Sequence, residues 1–298
     1  AAVGWLARRL GVAGVAPAAV LPVIGTKELV AWLPTLLGLG PGDAVAIPDV
    51  AYPTYDVGAR LAGADTLVTA PQDAADLILR HRPKLVWLNS PANPHGRVAS
   101  AAELCGIVSA AREAGTVVVS DECYIELAWD AEPVSILDPD VCGDSHAGLL
   151  AVHSLSKRSN LAGYRAGFVT GDPALVAELL EVRKHAGLIM PQPVQDAMTV
   201  ALSDDAHAAE QKERYRRRRV VLREALERAG FRIDHSEAGL YLWSTRDEDC
   251  WATVDWLAER GILAAPGEFY GEAGARHVRV ALTATDERVA AAADRLKN

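Results

Sequence analysis

The stretch "SLSKRSNLAGYR", from Ser154 to Arg165, sets the amine of Lys157 beside two serines and ends on an arginine. It follows the apolar run Leu149-Leu150-Ala151-Val152, which reads as a buried strand. A lysine amine held at such a strand end is suited to covalent bonding with a carbonyl carbon. Ser154, Ser156 and Arg165 carry the hydroxyl and guanidinium donors that bind a phosphate. Three more strand-like runs end in polar groups. Leu85–Leu88 leads into "NSPANPHG" with Asn89 and Asn93, Thr116–Ser120 into "DECY" with Asp121 and Tyr124, and Ala44–Ile47 into "PDVAYPTY" with Tyr52 and Tyr55.

These groups meet only if the runs before them are neighbours in a parallel sheet, where ligands bind beyond the carboxyl ends of the strands. The wider pattern predicts that arrangement. Strands are expected over 44–47, 66–68, 85–88, 116–120, 149–153 and 165–170, with helices over 26–37, 54–62, 72–80, 100–114 and 172–186. Such alternation indicates an α/β fold, a mostly parallel sheet sandwiched by helices. After about residue 204 the pattern changes. A charged helix is expected over 204–229, then strands over 231–234, 240–243, 262–265 and 278–281 with helices over 249–260 and 285–297. This reads as a smaller C-terminal α+β domain, residues 210–298, on a large domain of residues 1–209. The first residues, "AAVGWLARRLGV", read as an amphipathic helix with Val3, Leu6 and Leu10 near one face.

One cofactor uses all these parts. Pyridoxal 5'-phosphate needs a lysine for covalent attachment, a carboxylate for its ring nitrogen and a cradle for its phosphate. Lys157 supplies the amine, and Asp121 the acid that keeps the ring nitrogen protonated. Asn93 and Tyr124 can donate to the ring 3-oxygen, and Tyr52 offers a flat face to the ring. "IGTKE" at 24–28 opens a helix, and a helix N-terminus favours an anion. Gly25 allows close backbone approach, Thr26 adds a hydroxyl and Lys27 at least a backbone N–H; Ser154, Ser156 and Arg165 complete the cradle.

These motifs together resemble the fold-type I, class I/II aminotransferases. "NSPANPHG" resembles their Asn-Pro-Thr-Gly turn, with His95 where threonine is usual; "DECY" resembles their Asp-x-x-Tyr. "SLSKRSNLAGYRAG" resembles their Ser-x-Ser-Lys…Gly-x-Arg-x-Gly signature, and "EAGLYLW" and "HVRVALT" resemble two late strands. The likeness runs through nearly the whole chain in order. It implies that Arg279 holds a substrate α-carboxylate, that Tyr52 rather than Tyr55 meets the cofactor ring, and that the sites lie at the interface of a homodimer. It implies ping-pong transfer of an amino group between small amino and keto acids. More narrowly, "PVIGTKELVAWLPTLLGLGPGD" and "AYPTYDVGARLAGA" are similar to actinobacterial-type succinyldiaminopimelate aminotransferases of lysine biosynthesis. That likeness implies glutamate as donor and N-succinyl-2-amino-6-oxopimelate as acceptor. The resemblance also leads one to expect, ahead of "WLARRLGV", a substrate-covering arm and a tyrosine reaching the partner's phosphate. Neither has a match here, and the first residue is not methionine, so the chain reads as trimmed or processed.

Other readings stand beside this one. Another class I/II aminotransferase acting on aspartate, methionine or an aromatic amino acid would carry the same residues. So would a pyridoxal-phosphate lyase or the sensing domain of a transcription regulator, though no basic DNA-binding segment precedes it. Residue by residue, Lys157 alone would suit a surface turn, Asp121 a helix N-cap, and Arg279 a structural role. His153 and His185 read as satisfied structural histidines, and Trp32, Trp87, Trp129, Trp251 and Trp256 as packing. The net charge of −9 argues against nucleic-acid or anionic-membrane binding, and "RYRRRR" at 214–219 reads as an exposed helix face among glutamates. No apolar stretch is long enough to span a bilayer. Cys105, Cys123, Cys142 and Cys250 form no CxxC pair and no zinc pattern, which suggests free thiols in a cytoplasmic protein without a metal.

Overall fold

The computed structural model describes residues 1–297. The first sheet comprises β1 Val20–Ile24, β2 Ala44–Pro48, β3 Asp65–Thr69, β4 Leu85–Asn89, β5 Val117–Asp121, β6 Leu149–Ser154 and β7 Ala166–Gly171, in the order β1-β7-β6-β5-β4-β2-β3. Strands β2 to β6 pair in parallel, and β7 runs antiparallel to both of its neighbours, β6 and β1. The helices of this part are α1 Ala2–Leu10, α2 Thr26–Leu36, α3 Thr54–Ala62, α4 Ala74–His81, α5 Ala101–Ala114, α6 Pro139–Cys142, α7 Leu155–Arg158, α8 Pro173–His185 and α9 Gln192–Ser203.

Successive strand residues face opposite sides, and both sides are covered. Val45, Leu85, Val119, Leu150 and Val169 pack with Leu29 and Leu33 of α2, Tyr55 of α3 and Val176 of α8. Their sequence neighbours Ala46, Val86, Val118, Ala151 and Phe168 pack with Leu6, Ile78, Leu104 and Met198 from α1, α4, α5 and α9. This is the mostly parallel, helix-flanked sheet that the alternation predicts. Local signals delimit the helices: α5 starts at a capping box of Ser100 and Glu103 and ends at Gly115, φ 70°.

The chain continues through α10 Ala206–Arg228, β8 Arg232–Asp234, β9 Tyr241–Thr245, α11 Cys250–Glu259, β10 Ala265–Pro266, β11 Val278–Ala281 and α12 Asp286–Arg295. Its four strands pair antiparallel in the order β10-β11-β9-β8. Leu222 and Leu226 of α10 pack there on Leu242, Leu257, Val280 and Val289, and Tyr124 and Leu127 from the segment after β5 join the same core. That segment therefore ties the first sheet to the second.

Several expectations need correction. β1 and α9 were not anticipated; β1 carries Pro22, which is tolerated because the strand lies at a sheet edge. The strand expected over 262–265 shrinks to Ala265–Pro266, and Leu263 is 94% exposed. In α1 the buried residues are Trp5 and Leu6. Trp32 and Trp251 are 43% and 44% exposed, so they pack only in part, Trp251 edge-on against Phe269 with ring centres 5.7 Å apart. The basic run is not uniformly solvated either. Tyr215 and Arg219 are buried, and Arg219 bridges Asp130 and the Ser236 carbonyl. Among the described residues no helix is long and apolar enough to cross a membrane, and no cluster of ligating side chains could hold a metal.

Candidate active site

The carboxyl ends of β2, β4, β5 and β6 open onto one cavity of about 300 Å³, lined among others by Thr26, Lys27, Tyr52, Asn93, Asp121, Tyr124, Ser154, Ser156, Lys157, Arg165 and Arg279. All the site residues singled out in the sequence except Gly25 therefore face one space, and Gly25 lies against it. Lys157 sits in α7, a single turn begun by Ser154, whose hydroxyl accepts from the Ser156 N–H at 3.2 Å. The next residue, Arg158, is buried and anchors this turn. It donates to the Ala201 carbonyl at 2.7 Å and to Asp205 at 2.8 Å, and pairs with Glu126. The Lys157 amine stands 5.9 Å from the centre of the Tyr124 ring.

Asp121, the last residue of β5, is buried. Its carboxylate accepts from the Tyr55 hydroxyl at 2.8 Å and the Cys123 N–H at 3.1 Å. Burial pushes the Asp121 carboxyl above its usual value, while the bonds from Cys123 and Tyr55 and the charge of Lys157 pull the other way. No helix begins directly after Asp121, so it is no helix cap. Tyr55 in turn stacks on Trp87, ring centres 4.9 Å apart.

The anion cradle is built at the N-terminus of α2, which no side chain caps. Gly25 there has φ 75° and ψ 148°, and a Cβ on it would lie 2.2 Å from Arg165 Nη2. Arg165 itself is in the left-handed region, φ 54°, and donates to the Ala162 carbonyl at 2.9 Å. The first turn of α2 is held from behind. Glu28 accepts the buried fork of Arg183 at 2.8 and 2.9 Å and the Ile24 N–H at 3.2 Å. A glycine cradle under a guanidinium, an uncapped helix start, an amine and a buried carboxylate form the donor set that pyridoxal phosphate requires, so the residues fit that group.

Arg279 enters from β11 of the second sheet. Its Nη1 donates to Asn93 Oδ1 at 3.0 Å, while its buried Nε has no protein partner. A carboxylate accepting from Nε and the remaining Nη would complete the fork. Asn93 is fixed by its N–H, which donates to Asn89 Oδ1 at 2.7 Å; Asn89 Nδ2 donates to the Asp121 carbonyl at 2.8 Å.

Asn89, named in the sequence as a polar strand-end group but given no role, lines the cavity, and the sequence reading missed Cys123 and Tyr241 as lining residues and the role of Tyr55 as the partner of Asp121. Cys123 had a usable signal, since it lies inside the strand-end motif "DECY"; Tyr241 lies in the quoted run "EAGLYLW", but nothing in that run says which of its side chains enters the cavity. Cys123 Sγ donates to Thr26 Oγ1 at 3.5 Å, and burial pushes this thiol well up. His95 is buried and pushed down to about 3 by burial, so it is uncharged at neutral pH. His153 is also buried, but neither ring nitrogen has a hydrogen-bond partner, so it is not a satisfied histidine; His185 is exposed.

The profile of the family described as aminotransferase class I and II matches residues 5–296. A 4-dedimethylamino-4-oxo-anhydrotetracycline transaminase of Streptomyces rimosus is 64% identical over 296 residues, covering 99% of this chain and 81% of its own. A "probable aminotransferase" of Mycobacterium tuberculosis is 63% identical over 294 residues, covering 99% of this chain and 70% of its own. Among solved structures, a "probable N-succinyldiaminopimelate aminotransferase" from Thermus thermophilus superposes with a TM-score of 0.89 at 29% identity, covering 99% of this chain and 82% of its own.

Proposed function

Given that this chain belongs to the class I and II aminotransferases and is a pyridoxal-phosphate-dependent transaminase, we propose that Lys157 carries the cofactor and that Arg279 receives the substrate α-carboxylate. Pyridoxal phosphate, when bound, supplies an electron-poor ring that draws charge from the substrate Cα. Asp121 holds the proton on the ring nitrogen, and its bonds from Tyr55 and Cys123 keep it aimed. Gly25, Thr26, the Lys27 N–H, Ser154, Ser156 and Arg165 take the phosphate. Tyr52 covers the ring, and Asn93 and Tyr124 donate to its 3-oxygen. The Lys157 amine, once free, would take a proton from the substrate Cα as base and deliver it to the cofactor's former aldehyde carbon as acid.

The observation that supports this reading is the convergence of one amine, one buried carboxylate, one glycine cradle and one half-used arginine in a single cavity. Borohydride reduction of the cofactor-loaded protein, followed by peptide mapping, tests it. The label is expected on Lys157 and absent from Lys157→Ala; a label on any other lysine overturns the assignment.

For the amino donor we take glutamate, as the family resemblance implies, and for the acceptor N-succinyl-2-amino-6-oxopimelate, supported by the likeness to the Thermus structure. A second reading, a polycyclic ketone acceptor, is favoured by the 64% identity to the Streptomyces transaminase. Assays of 2-oxoglutarate release from glutamate with each acceptor separate them, and turnover with the ketone alone overturns the first. We also propose that the chain works as a homodimer. Val57 and Leu61 of α3, which follows Tyr52, and Val68 of β3 leave apolar surface exposed. Sedimentation that finds only monomer at working concentration sinks that part.

A further inference from the structure

Tyr241 lies on β9, diagonal to Arg279 on the same face of the second sheet, since Arg279 pairs with Trp243 and Ala281 with Tyr241. The Arg279 guanidinium carbon stands 4.0 Å from the centre of the Tyr241 ring. The Tyr241 hydroxyl is 3.2 Å from the hydroxyl of Tyr124, which reaches the cavity from the first sheet. One side chain therefore touches both Arg279 and Tyr124. We propose that Tyr241 is a positioning residue that couples carboxylate recognition at Arg279 to the hydrogen bond from Tyr124 to the cofactor ring oxygen. The proposal rests on the roles given to Tyr124 and Arg279 above.

The chemistry sets its direction. A phenol has one proton to donate. If Tyr124 gives its proton to the ring oxygen, its own oxygen must accept from Tyr241. Burial pushes the Tyr124 phenol well above its usual range, so it remains the protonated donor at neutral pH. Hydrogen bonds in a chain strengthen one another, so the Tyr241 proton makes Tyr124 a better donor. A cation over the Tyr241 ring withdraws electron density and sharpens that proton further. When a substrate carboxylate neutralises Arg279, this pull weakens, and the ring oxygen is held less tightly.

A spectral pH titration of the cofactor-loaded protein tests the coupling, together with the affinity for glutarate, a dicarboxylate that cannot transaminate. A donor on the ring oxygen favours the form that has lost its proton, so removing the donor raises the titration midpoint. Tyr124→Phe is expected to raise the midpoint, and Tyr241→Phe to raise it by about half a pH unit. The double variant should go no further than Tyr124→Phe alone. Tyr241→Phe keeps its ring beneath Arg279, so glutarate affinity should stay within about twofold. Tyr241→Leu loses the ring and should weaken glutarate about fivefold to tenfold. An unmoved midpoint in Tyr124→Phe overturns the role of Tyr124, and the coupling with it. A shift in Tyr124→Phe with none in Tyr241→Phe, or additive shifts in the double variant, overturns the coupling alone.

Discussion

At the residue scale, Asp121 depends on Tyr55 as much as on its place at the end of β5. The Tyr55 hydroxyl bonds the carboxylate at 2.8 Å inside the core, and a buried bond to a charged group contributes roughly 1.5–3 kcal/mol. With the bond from Cys123, it opposes the upward push of burial on the Asp121 carboxyl, and burial prevails. Tyr55→Phe should therefore let Asp121 protonate at higher pH, and the acid limb of kcat should move upward in pH. We expect kcat at neutral pH to fall by roughly tenfold with little change in KM. Asp121→Asn should cost at least about a hundredfold at every pH, since an amide cannot hold the ring nitrogen charged. A pH–kcat profile of Tyr55→Phe that overlays the parent profile contradicts this account. Nothing local in the sequence says that the Tyr55 hydroxyl meets β5.

At the element scale, two glycines with positive φ hold different parts of the site. Gly25 begins α2, and the neighbour in its way would be the guanidinium of Arg165, the mobile end of a side chain. Gly96, φ 73°, closes the turn after β4, and a Cβ there would lie 2.3 Å from the Ala238 carbonyl oxygen. That turn is bonded to the segment leading into β9, from Ser236 N–H to the His95 carbonyl at 2.7 Å and from Ala238 N–H to the Gly96 carbonyl at 3.0 Å. Backbone cannot swing aside as a guanidinium can. Gly25→Ala is expected to weaken cofactor affinity by about tenfold while changing the apoprotein melting point less. Gly96→Ala should destabilise the fold by about 2 kcal/mol or more in denaturant unfolding. The reverse ranking of the two variants contradicts the assignment.

At the scale of the whole molecule, the centre holds a buried acid and a buried base that respond oppositely to pH. Glu122 is pushed up to about 7 by burial, and His153, with Nε2 3.7 Å from Glu122, is pushed down to about 3. The raised Glu122 favours the native state fully below its ordinary value of 4.5, and that stability is lost as pH rises through about 7. The lowered His153 does the opposite, with stability present above 6.5 and lost as pH falls toward 3. Glu122→Gln cannot ionise and keeps an acceptor for the Ile136 N–H, bonded at 2.7 Å. Its melting temperature should exceed the parent's above pH 7, and the gap should close toward about pH 5. Thermal melts across that range check it, and a variant less stable than the parent at about pH 8.5 contradicts it.

Lys157, Asp121 and Asn93 stand out as candidates in the sequence because each follows soon after an apolar run that ends a strand, whereas Arg165 is marked only by its spacing from Lys157 and lies just before β7. A local pattern thus fixes both the type of residue and its side of the sheet. The mostly parallel, helix-flanked sheet was legible for the same reason, since period-2 and helical runs are properties of neighbouring residues. β1 escaped because Pro22 breaks the strand signal that only pairing with β7 restores. Tyr241 and Tyr124 lie 117 residues apart, and Arg279 and Asn93 lie 186 apart. Which side chains of the second sheet enter the cavity depends on the register of β9 against β11 and on how the two sheets pack. Register and packing are set by contacts summed over both cores, which no short window of sequence contains.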